Sequence, residues 1–327
     1  MQEKKSFSRV LGTGGYLPGK PVTNQELVNR LRKIDVETSD EWIKERSGIT
    51  SRYFCEEMST RDLGFIAAKQ AIEAASIDVT SIDLIIVATT TPDLIFPSVA
   101  CHIEKDLGLE RCTSFDIQAV CSGFVYALTV ADLFLKTGMK NNALVIGAER
   151  LSTILNWRDR STCVLFGDGA GAVVLGQSTV PGIIASDISS SGKFCDILRA
   201  SGTPKNGVLE GTGYAEMQGQ EVFRKAVESL SESGIKLLDT CAVDVESIDW
   251  FIPHQANIRI INKVAEKLNV PDSKVIKCVH KHANTSAASI PLALNEGISN
   301  GKIQFGDRLL LQGVGGGLTW GSILMDL

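Results

Sequence analysis

The chain has 327 residues, of which 44% are hydrophobic and 22% are charged, and its formal net charge is −5 at pH 7. This length suits two domains or two fused halves, and the composition is typical of a globular enzyme. The negative charge argues against a general nucleic-acid role, and no apolar run approaches the ~20 residues that span a bilayer.

The eight cysteines are scattered and form no C-x-x-C pair. In a chain too long to need disulfide staples, this pattern indicates reduced thiols, so we expect a cytoplasmic protein that does not enter the membrane. Residues 1–9 are charged and contain no apolar segment, so we expect no secretory signal.

Strand and helix patterns alternate along the chain, which predicts an α/β fold. Strands are predicted at 8–14, 84–89, 113–117, 143–148, 161–166 and 170–175. Helices are predicted at 24–31, from Ser39, at 60–75, from Phe96 to about 107, after Cys121 and at 220–239. Residues 177–217 are rich in Ser, Gly and Thr and predict an irregular connector, which places the two halves at 1–176 and 177–327.

Cys121 stands at the start of a predicted helix, directly after the strand at 113–117. Unpaired backbone N–H groups and the helix dipole at such a position favour an anion, and hence the nucleophilic thiolate. The alternative is a small buried cysteine that only fills space.

The second half repeats the first. The segment before the strand at 84–89 matches the segment before Trp250 at an offset of 166 residues, and Leu144 matches Leu310 at the same offset. Alignment of the helix ends at 138 and 301 gives an offset of 163 instead. That offset makes Asn284 the equivalent of Cys121 and predicts that the two residues face one another at helix starts.

Three further features follow predicted strands. His254 lies where open α/β sheets place ligands, although a structural histidine is the alternative. Asn284 leads into a helix, and could be a simple N-cap. The glycines at 313–317 precede a strand rather than a helix, which favours an oxyanion-type or close-packing loop over a dinucleotide site. Cys278, His280 and His282 would share a strand face, but no fourth ligand has suitable spacing, so no metal site is predicted.

Four motifs together, in this order, carry a family resemblance: AVCSGF at 119–124, HQAN at 254–257, NTSAASIP at 284–291 and GGGLTWG at 315–321. The chain resembles β-ketoacyl-acyl-carrier-protein synthase III. Residues 38–43, 96–98 and 166–171 extend the resemblance over nearly the whole chain. It implies a thiolase-like fold, with a duplicated five-layer αβαβα architecture that is usually a homodimer. It also implies condensation of an acyl-CoA primer, typically acetyl-CoA, with malonyl-acyl-carrier protein (malonyl-ACP), which begins type II fatty acid synthesis.

The resemblance implies a role for each matching residue. Cys121 would be the acylated nucleophile, the N–H groups of Cys121 and Gly316 would form the oxyanion hole, and His254 and Asn284 would serve decarboxylation. No cofactor is implied, since acyl-CoA and malonyl-ACP are substrates.

The remaining implied contacts concern binding. Coenzyme A and substrate would be held by Trp42, Arg46, Arg160, Asn257 and Phe96, with Phe96 closing the acyl pocket of a partner subunit. Acyl carrier protein would bind Gln255, Ala256, Asn257, Ile258, Arg259 and Arg224, with Lys263 and Lys267 nearby. The alternative for the basic residues is an ordinary solvated helix face.

Two positions depart from the family pattern, because Val314 replaces a frequent aromatic residue and Ala283 replaces a usual glycine. The alternatives are an acyltransferase or starter enzyme of a secondary-metabolite pathway, and an inactive scaffold that binds carrier protein. An elongating synthase would carry a second histidine in place of Asn284.

Overall fold

The computed structural model describes residues 7–327. Its strands are β1 (Phe7–Tyr16), β2 (Val22–Thr23), β3 (Ser51–Arg52), β4 (Leu84–Ala88), β5 (Thr113–Ile117), β6 (Asn142–Glu149), β7 (Gly169–Ser178), β8 (Ile183–Ser190), β9 (Leu198–Ala200), β10 (Thr203–Lys205), β11 (Val208–Glu210), β12 (Ala215–Met217), β13 (Trp250–Pro253), β14 (Arg308–Gly315) and β15 (Thr319–Asp326). Its helices are α1 (Asn24–Arg32), α2 (Asp40–Ser47), α3 (Thr60–Ala75), α4 (Val99–Asp106), α5 (Gly123–Lys136), α6 (Gly219–Cys241), α7 (Ile258–Lys267), α8 (Val279–His282) and α9 (Ser289–Ser299).

Two mixed sheets organise the chain. The first has the order β1-β7-β6-β4-β5, with β4 parallel to both β5 and β6. The second has the order β13-β14-β15-β8, with β13 parallel to β14. The apolar helices α5 and α9 contact both sheets and form the middle layer, while α3 covers the first sheet and α6 the second. This confirms the predicted five-layer αβαβα arrangement.

The internal repeat is confirmed at an offset of 166 residues. Strands β4 and β13 begin at 84 and 250, β6 and β14 at 142 and 308, and helices α5 and α9 at 123 and 289. Short 3-10 helices precede α5 and α9, at Val120–Ser122 and Ser286–Ala288. The offset of 163 was wrong for the site, because α9 has 11 residues against 14 in α5. The structural equivalent of Cys121 is therefore Ala287, and Asn284 precedes that point by three residues.

Two element predictions are also wrong. Residues 161–166 form turns, because the Asp159 side chain accepts the Ser161 N–H and its carbonyl accepts the Thr162 and Cys163 N–H groups. The predicted irregular connector contains β8, which is an edge strand of the second sheet, and the short strands β9 to β12. The chain passes from the first sheet to the second between Ser178 and Ile183. The division at 176/177 itself stays a prediction.

Within residues 7–327, no helix is both long enough and apolar enough to cross a bilayer. The predicted lack of a secretory signal concerns residues 1–9, and residues 1–6 of that segment lie outside the described part.

Candidate active site

Cys121, His254 and Asn284 line one cavity of about 570 Å³. They arrive from three places: the 3-10 turn before α5, the end of β13 and the segment before α9. These places lie far apart in the chain and meet only in the folded protein. The cavity is lined largely by apolar side chains, including Phe223, Leu198 and Val314.

Cys121 is buried, with 4% of its surface exposed. Burial raises the pKa of its thiol to about 12; the Glu149 carboxylate also raises it, while a hydrogen bond with the Ser286 side chain lowers it. Burial thus works against the thiolate that a helix terminus favours. Nucleophilic attack by Cys121 needs a group that takes its proton.

His254 is held in one orientation. Its backbone N–H donates to the backbone carbonyl of Gln312 at 2.7 Å, and its ring Nδ1 lies 2.6 Å from the Ser289 hydroxyl. The Ser289 oxygen accepts the Gln255 N–H at 3.3 Å, which leaves the Ser289 hydrogen free to donate to Nδ1. In the tautomer in which the Ser289 hydroxyl donates to Nδ1, Nε2 carries the ring proton and can donate in the cavity. Burial lowers the pKa of His254 to about 3, so the ring is neutral.

Asn284 is fixed by its own turn. Its side-chain Oδ1 accepts the Ser286 N–H at 2.8 Å. Its backbone N–H donates to the Leu165 carbonyl at 2.9 Å, and its backbone carbonyl accepts the Gly167 N–H at 3.0 Å. Because Oδ1 is engaged, Nδ2 is the atom that can donate to a molecule in the cavity. Two neutral donors, one imidazole and one amide, therefore face the space beside the thiol.

Two glycines at the end of β14 allow close backbone packing, Gly315 against Cys121 and Gly316 against Leu198. A Cβ atom on Gly315 would lie 2.6 Å from the Cys121 nitrogen, and one on Gly316 would lie 2.7 Å from the Leu198 carbonyl oxygen. Contacts this short exclude a larger residue, so the backbone here is a close-packed neighbour of the nucleophile. This arrangement fits the predicted oxyanion loop.

At the cavity mouth, the guanidinium carbons of Arg46 and Arg160 lie 4.5 and 4.9 Å from the centroid of the Trp42 ring. Trp42, Arg46 and Asn257 line the cavity. Arg160 does not line it, but its guanidinium lies over the Trp42 ring, which does. Asn257 caps α7 with its Oδ1 and donates from Nδ2 to the Arg46 carbonyl at 2.8 Å. The predicted coenzyme A residues are thus brought together, apart from Phe96.

Phe96 lies on an exposed apolar segment with Leu94 and Ile95, and 82% of its surface is exposed. It does not line the cavity of its own chain.

The predicted carrier-protein segment divides into buried and exposed parts. Gln255 is 1% exposed, and its amide bonds the Pro253 and Ile276 carbonyls and the Cys278 and Val279 N–H groups. The prediction that the Gln255 side chain contacts a carrier protein is therefore wrong, because this side chain is buried and fully hydrogen-bonded.

The other residues of this group are accessible to differing degrees. Ala256, Asn257 and Ile258 are half-buried and Arg259 is exposed on α7. Arg259 lies 5.7 Å from the Phe223 ring centroid, whereas Arg224 pairs with Glu221 and Lys263 with Glu266. Arg259 is thus the predicted basic residue best placed at the cavity rim.

Cys278, His280 and His282 do not share a strand face, because 279–282 is the helix α8. Cys278, His282 and Glu296 do place ligand atoms within 4.8 Å of one another. However, both Glu296 oxygens are engaged, one with Lys281 and the other with His282 Nε2 at 3.0 Å. The Lys281 ammonium supplies the positive charge there, so the cluster is best described as a partly exposed ion pair backed by His282.

Sequence reasoning missed Ser286 and Ser289, which orient the site side chains. Both belong to the NTSAASIP motif, but two small hydroxyl residues in a helix start signal capping as readily as a functional role. Their partners come from distant parts of the chain, so only the fold identifies them.

Ala283 adopts a backbone conformation that suits glycine, with φ 58° and ψ −161°. A non-glycine residue there costs on the order of 1–3 kcal/mol, against about 0.5–1 kcal/mol for the greater chain entropy of glycine. We therefore expect Ala283→Gly to stabilise the protein by about 1 kcal/mol and to raise Tm by about 2 °C in thermal unfolding. Ala287→Gly is the matched control, because Ala287 is buried and lacks a positive φ, and it should lower Tm. An unchanged or lower Tm for Ala283→Gly would count against backbone strain at this position.

Comparison with known proteins agrees with this geometry. The duplicated α/β layers are those of the thiolase-like fold, shared with solved condensing enzymes. Family models described as 3-Oxoacyl-acyl-carrier-protein (ACP) synthase III and its C terminal match residues 115–192 and 238–327.

Solved structures match along almost the whole chain. The synthase III of Aquifex aeolicus is 46% identical, over 98% of this chain and 100% of that one, with a TM-score of 0.92. The synthase III of Pseudomonas aeruginosa is 35% identical, over 98% of each chain, with a TM-score of 0.91. The priming β-ketosynthase of the R1128 polyketide pathway is 34% identical, over 98% and 96%, with a TM-score of 0.92. The chain belongs to the 3-oxoacyl-acyl-carrier-protein synthase III family, whose members are acyl-transferring condensing enzymes.

Proposed function

We propose that the protein condenses an acyl-CoA primer, acetyl-CoA in the first instance, with malonyl-ACP to give 3-oxoacyl-ACP, CoA and carbon dioxide, and so initiates fatty acid synthesis. The observation that carries this proposal is the meeting of Cys121, His254 and Asn284 in one cavity of a chain with this family's fold. No cofactor enters the proposed reaction.

In the first half-reaction, Cys121 attacks the primer thioester and becomes acylated. The tetrahedral oxyanion is held by the backbone N–H groups of Cys121 and Gly316. The close approach of the glycine loop to the Cys121 nitrogen supports this assignment, because it places two backbone segments at one point.

In the second half-reaction, malonyl-ACP enters and its thioester carbonyl accepts hydrogen bonds from His254 Nε2 and Asn284 Nδ2. That oxygen becomes an enolate oxygen as carbon dioxide leaves, and two fixed donors stabilise the growing charge. The carbanion then attacks the acyl group on Cys121. The neutrality of His254 and the engaged Oδ1 of Asn284 support donor roles for both.

The primer is tested with a panel of acyl-CoAs, from acetyl to octanoyl and including branched chains, with malonyl-ACP as the second substrate. We expect turnover with acetyl-CoA. Activity confined to longer or branched primers would instead favour a starter enzyme of a secondary-metabolite pathway. The 34% identity to a polyketide priming ketosynthase supports keeping that alternative.

Coenzyme A is proposed to bind at the cavity mouth, with Trp42 against adenine and Arg46 and Arg160 near the phosphates. Both guanidinium groups lie over the indole in the structure, so adenine stacking requires one of them to move. Asn257 is proposed to contact the pantetheine arm, because it lines the cavity between its mouth and His254.

Acyl carrier protein is proposed to dock on the α7 face through Arg259, with Ala256, Asn257, Ile258 and Arg224 beside it. We expect Arg259→Glu to raise KM for malonyl-ACP about tenfold or more, because a rim charge opposed to its partner slows association. Initial rates at varied malonyl-ACP measure this.

Lys69→Glu is the control for that charge change, since Lys69 is exposed on α3, which covers the other sheet. Its KM for malonyl-ACP should stay at the wild-type value. An unchanged KM in Arg259→Glu, or an equal rise in both variants, would contradict docking on this face.

A homodimer is proposed, in which Phe96 of each subunit reaches the acyl pocket of the other. The exposed apolar segment at 94–96 and the position of β5 at a sheet edge support this assembly. A cytoplasmic location is also proposed, and the eight free cysteines support a reducing compartment.

A further inference from the structure

A carboxylate without a counter-ion lies behind the nucleophile. Glu149, the last residue of β6, has no exposed surface. Its oxygens accept hydrogen bonds from the hydroxyls of Thr91 at 2.6 Å, Thr90 at 2.8 Å, Ser286 at 2.9 Å and Thr89 at 3.3 Å, and from the Thr90 N–H. All of these donors are neutral, and within residues 7–327 Glu149 joins no ion pair. A carboxylate in such a place is costly to ionise, so burial raises its pKa.

Ser286 connects this carboxylate to Cys121. The Ser286 side chain is 1% exposed and donates to Glu149 Oε1 at 2.9 Å, and its turn packs against the turn that carries Cys121, where the Ser286 hydroxyl lowers the pKa of the thiol. A hydroxyl carries one hydrogen and can donate to only one partner at a time. While Glu149 is ionised, the Ser286 hydroxyl donates to the carboxylate, which leaves the Ser286 oxygen as an acceptor for the thiol hydrogen.

His254 does not serve equally well as the base for this thiol. Its neutral ring has a pKa of about 3 because of burial, and its Nε2 proton is the donor that the second substrate requires. The Glu149 charge raises the pKa of the Cys121 thiol. The other groups that face Glu149 are hydroxyl and N–H groups of residues 89–91 and Ser286, which do not titrate.

We propose that Glu149 takes the Cys121 proton through Ser286 and stores it while Cys121 is acylated. The thiol hydrogen moves to Ser286 Oγ as the Ser286 hydrogen moves to Glu149 Oε1. The product is a thiolate that accepts a hydrogen bond from Ser286, and a neutral carboxylic acid. One negative charge is conserved throughout, and Glu149 acts on Cys121 only by way of Ser286.

The proton balance closes over the whole cycle. The thiolate bonds to the primer carbonyl carbon, and coenzyme A leaves as a thiolate that takes a proton from water. After decarboxylation, the malonyl-derived carbanion bonds to the acyl carbon and the bond to Cys121 Sγ breaks. The Cys121 thiolate then recovers its proton from Glu149 through Ser286, so one solvent proton is consumed per turnover, as the overall reaction requires. This proposal rests on the proposed function, because it supplies the base for the acylation step.

The test compares Glu149→Gln and Ser286→Ala with the wild type in the rate of Cys121 acylation by labelled acetyl-CoA. We expect both variants to acylate about 100-fold more slowly, in the range for loss of general-base assistance. We also expect a changed pH profile. The wild-type rate should be level above the pKa of Glu149, whereas the variants should accelerate about tenfold per pH unit through neutral pH, because only spontaneously ionised thiol reacts in them.

A structural role is excluded by malonyl decarboxylation in a Cys121→Ala background, which depends on His254 and Asn284 but not on the thiol. Glu149→Gln added to that background should leave decarboxylation unchanged. A parallel loss of decarboxylation, or wild-type acylation with a wild-type pH profile, would overturn the proposal. If Glu149→Gln fails to fold, Ser286→Ala carries the test, since it keeps the buried carboxylate and removes only the link. Failure of the wild type itself to label would instead overturn the proposed function.

Discussion

Labelled acetyl-CoA is expected to leave one acetyl group per chain on Cys121, and Cys121→Ser is expected to abolish both the label and turnover. The reason is that the cavity presents one thiol beside the glycine loop, and a serine hydroxyl is a far weaker nucleophile than a thiolate. We expect condensation to fall by roughly three orders of magnitude or more, as for loss of a nucleophile elsewhere. Mass spectrometry of the intact chain and of its Cys121 peptide measures the label.

The matched control is Cys101→Ser, which changes an exposed cysteine in the same way. Its labelling should remain at one group per chain. A wild-type protein that accepts no label from any acyl-CoA between acetyl and octanoyl would overturn the nucleophile assignment. Label that survives in Cys121→Ser and disappears in Cys101→Ser would place the nucleophile elsewhere.

The second large effect concerns Asn284. Asn284→Ala should still be acylated on Cys121 but should decarboxylate malonyl-ACP about 100-fold more slowly or worse, because one of the two enolate donors is removed. Release of carbon dioxide from carboxyl-labelled malonyl-ACP measures the second step, and the acetyl label measures the first.

Asn284→Asp separates the donor from the scaffold. An aspartate keeps the oxygen that accepts the Ser286 N–H, and replaces the Nδ2 donor with a second oxygen. We expect it to match or exceed the loss in Asn284→Ala, since a carboxylate also repels the enolate. Normal decarboxylation by Asn284→Asp would show that Asn284 serves to shape its turn, and a loss of acylation alone would mean that its role lies in the first step.

Much of the architecture follows from local patterns. The predicted bounds of the helix at 60–75 and the strand at 113–117 are those of α3 and β5. The Ser59 capping box and the apolar periodicity mark the helix. The offset of 166 residues predicted the duplication, since equivalent strands keep their spacing. The helix start at Cys121 followed from the strand before it and the periodic face after it.

What failed depends on features that sequence spacing does not encode. Alignment by helix ends misplaced the equivalent of Cys121, because two equivalent helices differ by three residues. The run at 162–166 is mostly buried, as a strand would be, yet backbone N–H groups that donate to Asp159 hold the segment in turns. Residue identity likewise says little about solvation. Gln255 reads as a surface amide but lies in the interior, and the Cys121 thiol is governed by desolvation as well as by its helix.

Glu149 illustrates the same limit from the other side. A charged residue that ends an apolar strand usually marks the point where the strand leaves the core. Here the neighbouring loops fold over it, so the hydrogen bonds of its carboxylate come from hydroxyl groups 58 to 137 residues away in the chain.

The contact between Gly315 and the Cys121 nitrogen also bears on cooperativity. The nucleophile belongs to the first repeat, but the backbone against it belongs to the second, and no side chain fits between them. Neither repeat can therefore loosen without disturbing the reactive thiol. Fragments cut between Ser178 and Ile183 should regain a reactive centre only when they are recombined.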